Sequence, residues 1–184
     1  SPIATNEFYR DFISTASIDS TRSTFFFQIM NHSCASNVAQ ALGVSGRVMA
    51  PSAACSTSCQ AIGLAYETIA FKKQEMMLCG GADEFHPLTA ATFDIINASS
   101  VKYNDRPSKT PRPFDRDRDG VVCAEGCGIL LLESLDSARE RGATILGEIA
   151  GFSTLSDPKS IVEPDAESIE SCIAGVLADA RVGA

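Results

Sequence analysis

The sequence predicts an α/β protein in which helices and strands form layers. Amphipathic helical segments alternate with short apolar runs, the pattern of a sheet covered by helices. The 184 residues are 45% hydrophobic and 21% charged, which suits a globular domain or a piece of a larger one. A formal net charge of −8 argues against binding along a nucleic-acid backbone, which depends on surplus Lys and Arg.

The N-terminal part of the chain is expected to hold one long helix. Residues 1–22 are polar and aperiodic, and no strong element is predicted there. A helix is expected over Ser23–Leu42, because Ser23 or Thr24 can cap it and Gly43 is a natural stop. One face of this helix is expected to be buried, since an apolar residue recurs at every fourth position: Phe26, Met30, Cys34, Val38 and Leu42.

The motif SAACSTS places Cys55 between a predicted strand, Arg47–Ala53, and a predicted helix, Ser56–Lys73. A thiol attacks as the thiolate, which the positive end of a helix dipole favours. The free N–H groups of a first helical turn can also stabilise an oxyanion. Spacing therefore permits a nucleophile at Cys55, while the alternative is a buried thiol, the commonest fate of a free cysteine. The inner side of the helix is expected to consist of Ile62, Ala65, Tyr66 and Ile69.

Short strands and helices are predicted to alternate through the rest of the chain, around a polar, proline-bearing loop at residues 99–119. The strands are expected at Met76–Leu78 (ended by Gly80-Gly81), Val121–Cys123, Gly128–Glu133 and Ile145–Phe152. The helices are expected at Thr89–Asn97, at Leu135–Arg141 and from near Pro164. The apolar run GILLLE is far too short to span a bilayer.

The cysteine and acidic patterns do not predict a metal site. Seven cysteines, an odd number and mostly within apolar runs, indicate reduced thiols and a cytoplasmic protein. Cys55 with Cys59, and Cys123 with Cys127, form CxxxC pairs, but these lie along predicted apolar helices and strands, whereas the ligands of structural zinc sites lie in turns. The run FDRDRDG matches half of a calcium-binding loop through Asp115, Asp117, Asp119 and Gly120, but its closing glutamate would fall on Gly126. We expect a turn at Asp119-Gly120, with Arg116 and Arg118 paired locally.

The two histidines do not identify a base for Cys55. His32 falls within the first predicted helix, where a core or interface position is expected. His86 follows Asp83-Glu84 and is expected in a surface loop, although a position beside a cleft stays open. An activated cysteine normally needs a base or a cation nearby, and the spacing marks neither histidine for that role.

Several motifs occur in a consistent order and carry a family resemblance. They are ALGVSGRV, SAACSTS, LCGGADE, the run KYNDRPSKTPRPFDRDRDGVVCAEGCGILLLESLDSARERGATILGEIAGF, and Ser156-Asp157. From about Thr24 to Asp157 the chain resembles a β-ketoacyl-(acyl carrier protein) synthase, a type II elongating condensing enzyme of the thiolase superfamily. The stretch MNHSCASNVAQALGVSGRV is particularly similar to synthases of bacterial aryl-polyene clusters. The resemblance implies the thiolase-like layered fold, α-β-α-β-α, of which this chain holds the central part.

The resemblance implies a ping-pong Claisen condensation with Cys55 as nucleophile. Cys55 accepts an acyl chain from acyl carrier protein as a thioester, and malonyl carrier protein then loses CO2 and attacks that thioester as a carbanion. The Cys55 N–H contributes to the oxyanion hole. Phe26, Met30 and Phe93 are candidates to line the acyl tunnel, with core packing as the alternative. The strand before Cys55 usually pairs with its counterpart in a second subunit, so a homodimer or a heterodimer with a related synthase subunit is expected. No cofactor, nucleic acid or membrane partner is expected.

The chain also departs from the family pattern. The family's two catalytic histidines and its lysine lie C-terminal to this region, and the match weakens after Asp157, at PKSIVEP. We expect residues 1–22 to be an unmatched segment, and residues 23–184 to be a partial ketosynthase domain, the N-terminal half region that carries the nucleophile. Such a piece alone is expected to lack the decarboxylation machinery. Two alternatives stay open: a chain-length-factor-like partner subunit, although such partners usually lose the cysteine, and a thiolase-like acyltransferase that uses CoA, against which RPFDRDRDG argues.

Overall fold

The computed structural model describes residues 2–19 and 21–182. The chain divides into two compact units. The first unit comprises Ser1–Val44 and Ala82–Cys127, and the second comprises Ser45–Gly81 and Gly128–Ala184. In chain order the elements are α1 (Pro2–Thr15), α2 (Phe26–Ile29), α3 (Ser33–Leu42), α4 (Thr57–Ala70), β1 (Met76–Asp83), α5 (Pro87–Ile95), β2 (Gly126–Glu133), α6 (Leu135–Glu140) and α7 (Ala166–Asp179).

Helix α1 corrects the expectation that residues 1–22 hold no strong element. The Phe8 and Phe12 rings stack with their centroids 6.3 Å apart, and Tyr9 meets Phe8 edge-on at 5.7 Å. Residues one turn apart on a helix are neighbours, so the Phe8–Phe12 pair stabilises the helical conformation. The sequence signal was weak because polar residues surround these aromatics and no capping motif precedes them.

The single helix expected over Ser23–Leu42 is broken into two. A 3-10 turn, Ser23–Phe25, leads into α2, and Met30 then adopts an extended ψ of 141° before α3 begins. Asn31, His32 and Ser33 follow Met30, and such polar residues favour helix ends over helix interiors. Helix α3 ends as predicted at Gly43, which has a left-handed φ of 66°.

The expectation of a buried stripe along this region is wrong. Its members are all exposed, and those other than Cys34 have relative exposures from 40% to 61%: Phe26, Met30, Val38 and Leu42. Helical periodicity identifies which face is apolar, but it does not say whether a neighbouring element covers that face. The apolar residues therefore do recur at every fourth position, but this spacing does not imply that their side chains are buried.

The second unit contains most of the sheet formed by β1 and β2. The strands are antiparallel. The Ser134 N–H donates to the Glu75 carbonyl at 2.9 Å, and Cys79, farther along the chain than Glu75, lies beside Leu130, which precedes Ser134. Contrary to the prediction, Gly80-Gly81 does not end the first strand, which continues to Asp83. Backbone pairing with β2 carries the strand through two residues that have no side chain.

Three predicted strands are absent from the described residues: Arg47–Ala53, Ile145–Phe152 and Val121–Cys123. Val121 forms only an isolated bridge with Ser99. Residues 150–154 instead lie between α4 and α7, where the Phe152 N–H donates to the Asp179 carboxylate at 2.8 Å. An apolar run becomes a strand only where a neighbouring strand supplies hydrogen bonds. Packing between two helices can bury the same apolar side chains without forming a strand.

The predicted helices around Cys55 and in the C-terminal part are confirmed. Helices α4, α5, α6 and α7 overlap the expected ranges, and the inner side of α4 is half-buried or buried where predicted, with Ala65 only 1% exposed. The loop after α5 contains only a short 3-10 turn, Pro107–Lys109. Within residues 2–19 and 21–182, no helix is long and apolar enough to cross a membrane.

Candidate active site

Cys55 occupies a 3-10 turn, Ala54–Ser56, that leads directly into α4. Its side chain belongs to an exposed residue rather than to the core. The predicted position of Cys55 at the start of a helix is therefore confirmed, and the alternative of a buried thiol is wrong. This placement puts Cys55 at the positive end of the α4 dipole.

The backbone immediately before Cys55 is strained. Ala54 adopts a φ of +46°, a left-handed conformation that costs a residue with a Cβ about 1–2 kcal/mol. Ser56, on the other side of Cys55, helps to hold it: the Ser56 hydroxyl donates to the Ala53 carbonyl at 2.7 Å, and the Ser56 N–H donates to the same oxygen at 3.1 Å. Strain of this kind persists only where surrounding contacts enforce it, and it concentrates at functional sites.

One backbone donor at this turn is not engaged. The N–H groups of Ser56 and Thr57 donate to the carbonyls of Ala53 and Ala54. For the Cys55 N–H, no hydrogen bond to another described residue is present. An exposed thiol and an available N–H on the same residue form the minimum arrangement for thioester chemistry, since one supplies the nucleophile and the other a donor for the developing oxyanion.

The first turns of α4 are held by contacts within the second unit. Gly81 of β1 has no Cβ, and a Cβ there would lie 2.0 Å from the Ser58 hydroxyl oxygen. Farther along, the Gln60 side chain donates to the Thr154 hydroxyl at 2.6 Å. The Phe152 ring packs against Gly63, where a Cβ would lie 2.3 Å from the ring carbons. The helix that carries Cys55 is thus anchored on one side by β1 and on the other by residues 150–154.

The residues predicted to line an acyl tunnel lie in the first unit. Phe26 and Met30 both line a groove of about 200 Å³ together with Phe27, and the rings of Phe26 and Phe27 meet edge-on at 5.4 Å. Phe93 is half-buried on α5 and is not among the residues that line this groove. The structure therefore brings two of the three candidates together.

Both histidines also belong to the first unit. His32 directly precedes α3 and lines the same groove as Phe26, so the expectation that it lies within a helix is wrong. His86 precedes α5, and its Nδ1 accepts the Leu88 N–H at 3.1 Å, which makes it a capping residue. The second unit, which carries Cys55, contains no histidine in its sequence.

The other cysteines provide a contrast with Cys55. Cys79 is buried in β1, and burial raises the pKa of its thiol. Cys172 is half-buried on α7 and lies 3.7 Å from the Ser153 carbonyl oxygen. Buried thiols with raised pKa are poor nucleophiles, because the thiolate is the reactive form. Cys59 is exposed one turn beyond Cys55, inside α4.

In the acidic run that resembles half of a calcium loop, the carboxylates of Asp115 and Asp119 accept hydrogen bonds from groups of the protein itself. The N–H of Lys102, the Ser100 hydroxyl and the N–H of Val101 all donate to Asp119 and lower the pKa of its carboxyl. Asp115 accepts the N–H of Asp117 at 2.7 Å and binds Arg112 at 3.0 Å. The expected local pairing of the arginines is confirmed: Arg116 pairs with Asp117, and Arg118 donates to the Asp115 carbonyl. No group of three or more candidate metal ligands occurs among the described residues.

Comparison with known proteins decides the family. The family model for the β-ketoacyl synthase N-terminal domain matches residues 4–138. The chain belongs to the β-ketoacyl synthase family. The match covers most of the chain and begins inside the segment 1–22, in which no family motif was recognised from the sequence.

Relatives and solved structures agree with this family. A 3-oxoacyl-[acyl-carrier-protein] synthase 1 of Haemophilus influenzae is 41% identical over 127 residues, which are 69% of this chain and 31% of that protein. The crystal structure of a β-ketoacyl synthase from Burkholderia phymatum superposes with a TM-score of 0.90 at 40% identity, over 96% of this chain and 43% of that one. A type II PKS acyl-carrier protein in complex with its ketosynthase bound to the hexaketide gives a TM-score of 0.90 at 29% identity, over 98% and 46% of the two chains.

These similarities confirm the predicted resemblance and the thiolase-like α/β fold class. This chain spans about a third of the length of the Haemophilus synthase and less than half of each solved ketosynthase chain. The assignment to synthases of the aryl-polyene type remains a prediction.

Proposed function

We propose that this chain supplies the nucleophile of a β-ketoacyl-(acyl carrier protein) synthase that elongates fatty acid, polyketide or polyene chains. The observation that carries the proposal is the state of Cys55, an exposed thiol at the strained turn before α4, whose N–H makes no hydrogen bond to another described residue. Membership of the β-ketoacyl synthase family supports it. Cytoplasmic location is part of the same proposal.

In the proposed first half-reaction, the Cys55 thiolate attacks the carbonyl carbon of an acyl thioester on the carrier protein. A bond from that carbon to the Cys55 sulfur forms, and the carbonyl oxygen becomes an oxyanion that accepts the Cys55 N–H. Collapse of the tetrahedral intermediate breaks the bond to the carrier sulfur. The carrier thiolate leaves and takes a proton from solvent, and the acyl group remains on Cys55.

In the proposed second half-reaction, malonyl carrier protein loses CO2, and the electron pair of the broken carbon–carbon bond forms a carbanion. The carbanion attacks the acyl–Cys55 thioester and expels the Cys55 thiolate. In the family, the histidines and the lysine that support this step lie C-terminal to the region matched here. We therefore assign the acylation of Cys55 to this chain and the condensation to the complete synthase.

The proposed partners are acyl- and malonyl-loaded carrier protein and a second synthase subunit, identical or related. The solved complex of a type II carrier protein with its ketosynthase supports the first of these. We also propose that the groove lined by Phe26 and Met30 receives the acyl chain, with Phe93 as a further contact. Phe26, Phe27 and Met30 give the groove an apolar part that suits an acyl chain, while the rest of its lining is polar.

The test is the intact mass of the full chain after incubation with acyl carrier protein thioesters. We expect one acyl adduct, lost in Cys55→Ala and retained in Cys59→Ala, the matched control one helical turn away. An adduct that persists in Cys55→Ala would contradict the proposal. So would the absence of any adduct from a wild-type chain whose Cys55 reacts with a small alkylating reagent, the behaviour expected of a non-catalytic partner subunit.

The same assay separates the remaining alternatives. Adduct formation from acyl-CoA but not from acyl carrier protein would identify a CoA-dependent acyltransferase instead. For the groove, Met30→Trp is expected to reduce the adduct from long acyl chains and to spare the adduct from an acetyl group. An equal effect on both chain lengths would exclude Met30 from the acyl path.

A further inference from the structure

The Thr57 side chain bridges two peptide groups of the turn that carries Cys55. The Thr57 hydroxyl oxygen accepts the Ala53 N–H at 2.8 Å and donates its proton to the Ala54 carbonyl at 2.7 Å. The Thr57 N–H donates to the same Ala54 carbonyl. A threonine hydroxyl has one proton to donate and lone pairs to accept, and both capacities are in use here.

These contacts bracket the strained residue. Ala54, with its φ of +46°, lies between the N–H and the carbonyl that Thr57 holds. A rotation of Ala54 into the ordinary negative range of φ would redirect the chain at Cys55, the next residue. It would also break the bridge, because the hydroxyl could not reach both groups at once.

We propose that Thr57 is a positioning residue, which keeps Ala54 in the left-handed conformation and thereby presents Cys55 at the start of α4. The inference deepens the proposed function, because it concerns the same nucleophile. It does not make Thr57 a catalytic residue, since its hydroxyl is fully engaged with the backbone and acts only through the turn.

Thr57 is separable from the packing of its helix. Helix α4 continues for 14 residues, and its buried positions, Gly63, Ala65 and Thr68, lie beyond the first turn. Thr68 offers a matched control, because its hydroxyl also donates to a backbone carbonyl, that of Leu64, at 2.6 Å. Replacement of either threonine by valine removes one hydroxyl and keeps the shape of the side chain.

The experiment measures the rate at which iodoacetamide alkylates Cys55 in the full chain, followed by peptide mass mapping. We expect Thr57→Val to lower this rate roughly tenfold, because the half-buried Ala53 N–H loses its acceptor and the Ala54 carbonyl keeps only one of its two donors, the Thr57 N–H. Thr57→Ser, which keeps the hydroxyl, is expected to retain the rate, and so is Thr68→Val. The exposed Cys127 is an internal reference, since its rate should be the same in every variant.

Labelling of the buried Cys79 would reveal whether Thr57→Val perturbs folding. In that case a double variant, Ala54→Gly with Thr57→Val, keeps the test decisive. Glycine adopts a φ of +46° without a Cβ penalty. We therefore expect Ala54→Gly to recover most of the lost rate when combined with Thr57→Val. An unchanged rate in Thr57→Val, an equal loss in Thr68→Val, or a loss in Thr57→Ser would each overturn the inference.

Alkylation needs no carrier protein, so the two proposals can fail separately. A missing acyl adduct on Cys55 would refute the proposed function and leave the effect of Thr57 on alkylation to be judged by itself. A normal acyl adduct with no effect of Thr57→Val on alkylation would refute the positioning role alone.

Discussion

Replacement of Gly80 by alanine tests a close approach between the two strands. Gly80 has a φ of +144°, and a Cβ built there would lie 2.1 Å from the Gly128 carbonyl oxygen and 3.0 Å from the Ile129 Cα. Those atoms belong to the backbone of β2, so no side-chain rotation can relieve the clash. The unfavourable φ costs about 1–3 kcal/mol, and forced displacement of packed groups costs about 1–3 kcal/mol more.

We therefore expect Gly80→Ala to lower the free energy of unfolding by about 2–6 kcal/mol, a large part of the stability of an ordinary domain. The measurement is urea unfolding followed by circular dichroism, together with thiol labelling of Cys79, the buried neighbour in β1. Local separation of the strands should accelerate that labelling.

The control is Gly128→Ala in β2, where a Cβ would meet nothing within 4 Å. We expect its stability to stay within about 0.5 kcal/mol of wild type. If Gly80→Ala and Gly128→Ala unfold at the same urea concentration, and Cys79 is labelled at the wild-type rate in both, the strands do not approach as the structure shows and the reasoning is refuted.

Two further predictions concern a cap and an ion pair. His86→Ala should cost about 1 kcal/mol of stability by urea unfolding, because the Leu88 N–H loses its acceptor, while His86→Asn should restore most of it; equal losses would contradict the capping role. Arg141 and, to a smaller extent, Ser137 lower the pKa of Glu133 by hydrogen bonds to its carboxylate. The stability from these contacts is thus present at neutral pH and lost as pH falls through the lowered pKa. The free energies of unfolding of wild type and of Glu133→Gln should therefore differ at neutral pH and become equal in acid. A difference in the free energy of unfolding that does not change with pH would contradict this.

The sequence predicted helices better than strands, and the reason is physical. A helix such as α4 or α7 satisfies its backbone internally, so an apolar period and its end signals are sufficient to locate it. A strand needs a partner that lies elsewhere in the chain. The apolar runs 47–53 and 145–152 have no such partner among the described residues, whereas Gly126–Glu133 pairs with β1.

The break between α2 and α3 shows a related limit of sequence reasoning. Every fourth residue is apolar across the whole stretch, so periodicity alone predicted one helix. The run Asn31-His32-Ser33 outweighed it locally, and the Asn37 side chain donates to the Ser33 carbonyl at 2.8 Å within α3. Polar residues that favour helix ends therefore prevail here over the apolar pattern.

The candidate nucleophile was predictable because the features that place it are local. The hydrogen bonds that shape its turn join residues 53–57, so the short motif SAACSTS contains nearly all of the information. The same motif also contains Thr57, whose hydroxyl lies two residues after the cysteine and bridges the Ala53 N–H and the Ala54 carbonyl. The contact of Ser58 with Gly81 could not be predicted, because it joins residues far apart in the sequence.

The two features on which the proposed function rests, the turn at Cys55 and the groove of Phe26 and Met30, belong to different units of the chain. The turn at Cys55 is specified by five consecutive residues, while the groove of Phe26 and Met30 is formed by residues 26–40 of the other unit. A chain that spans about a third of a relative's length therefore holds all five residues of the turn that presents the candidate nucleophile. In the proposed function, acylation of Cys55 depends on the turn and its N–H, whereas condensation is assigned to the complete synthase. The acyl adduct and the alkylation rate are accordingly the measurements that this chain should support even if it does not condense.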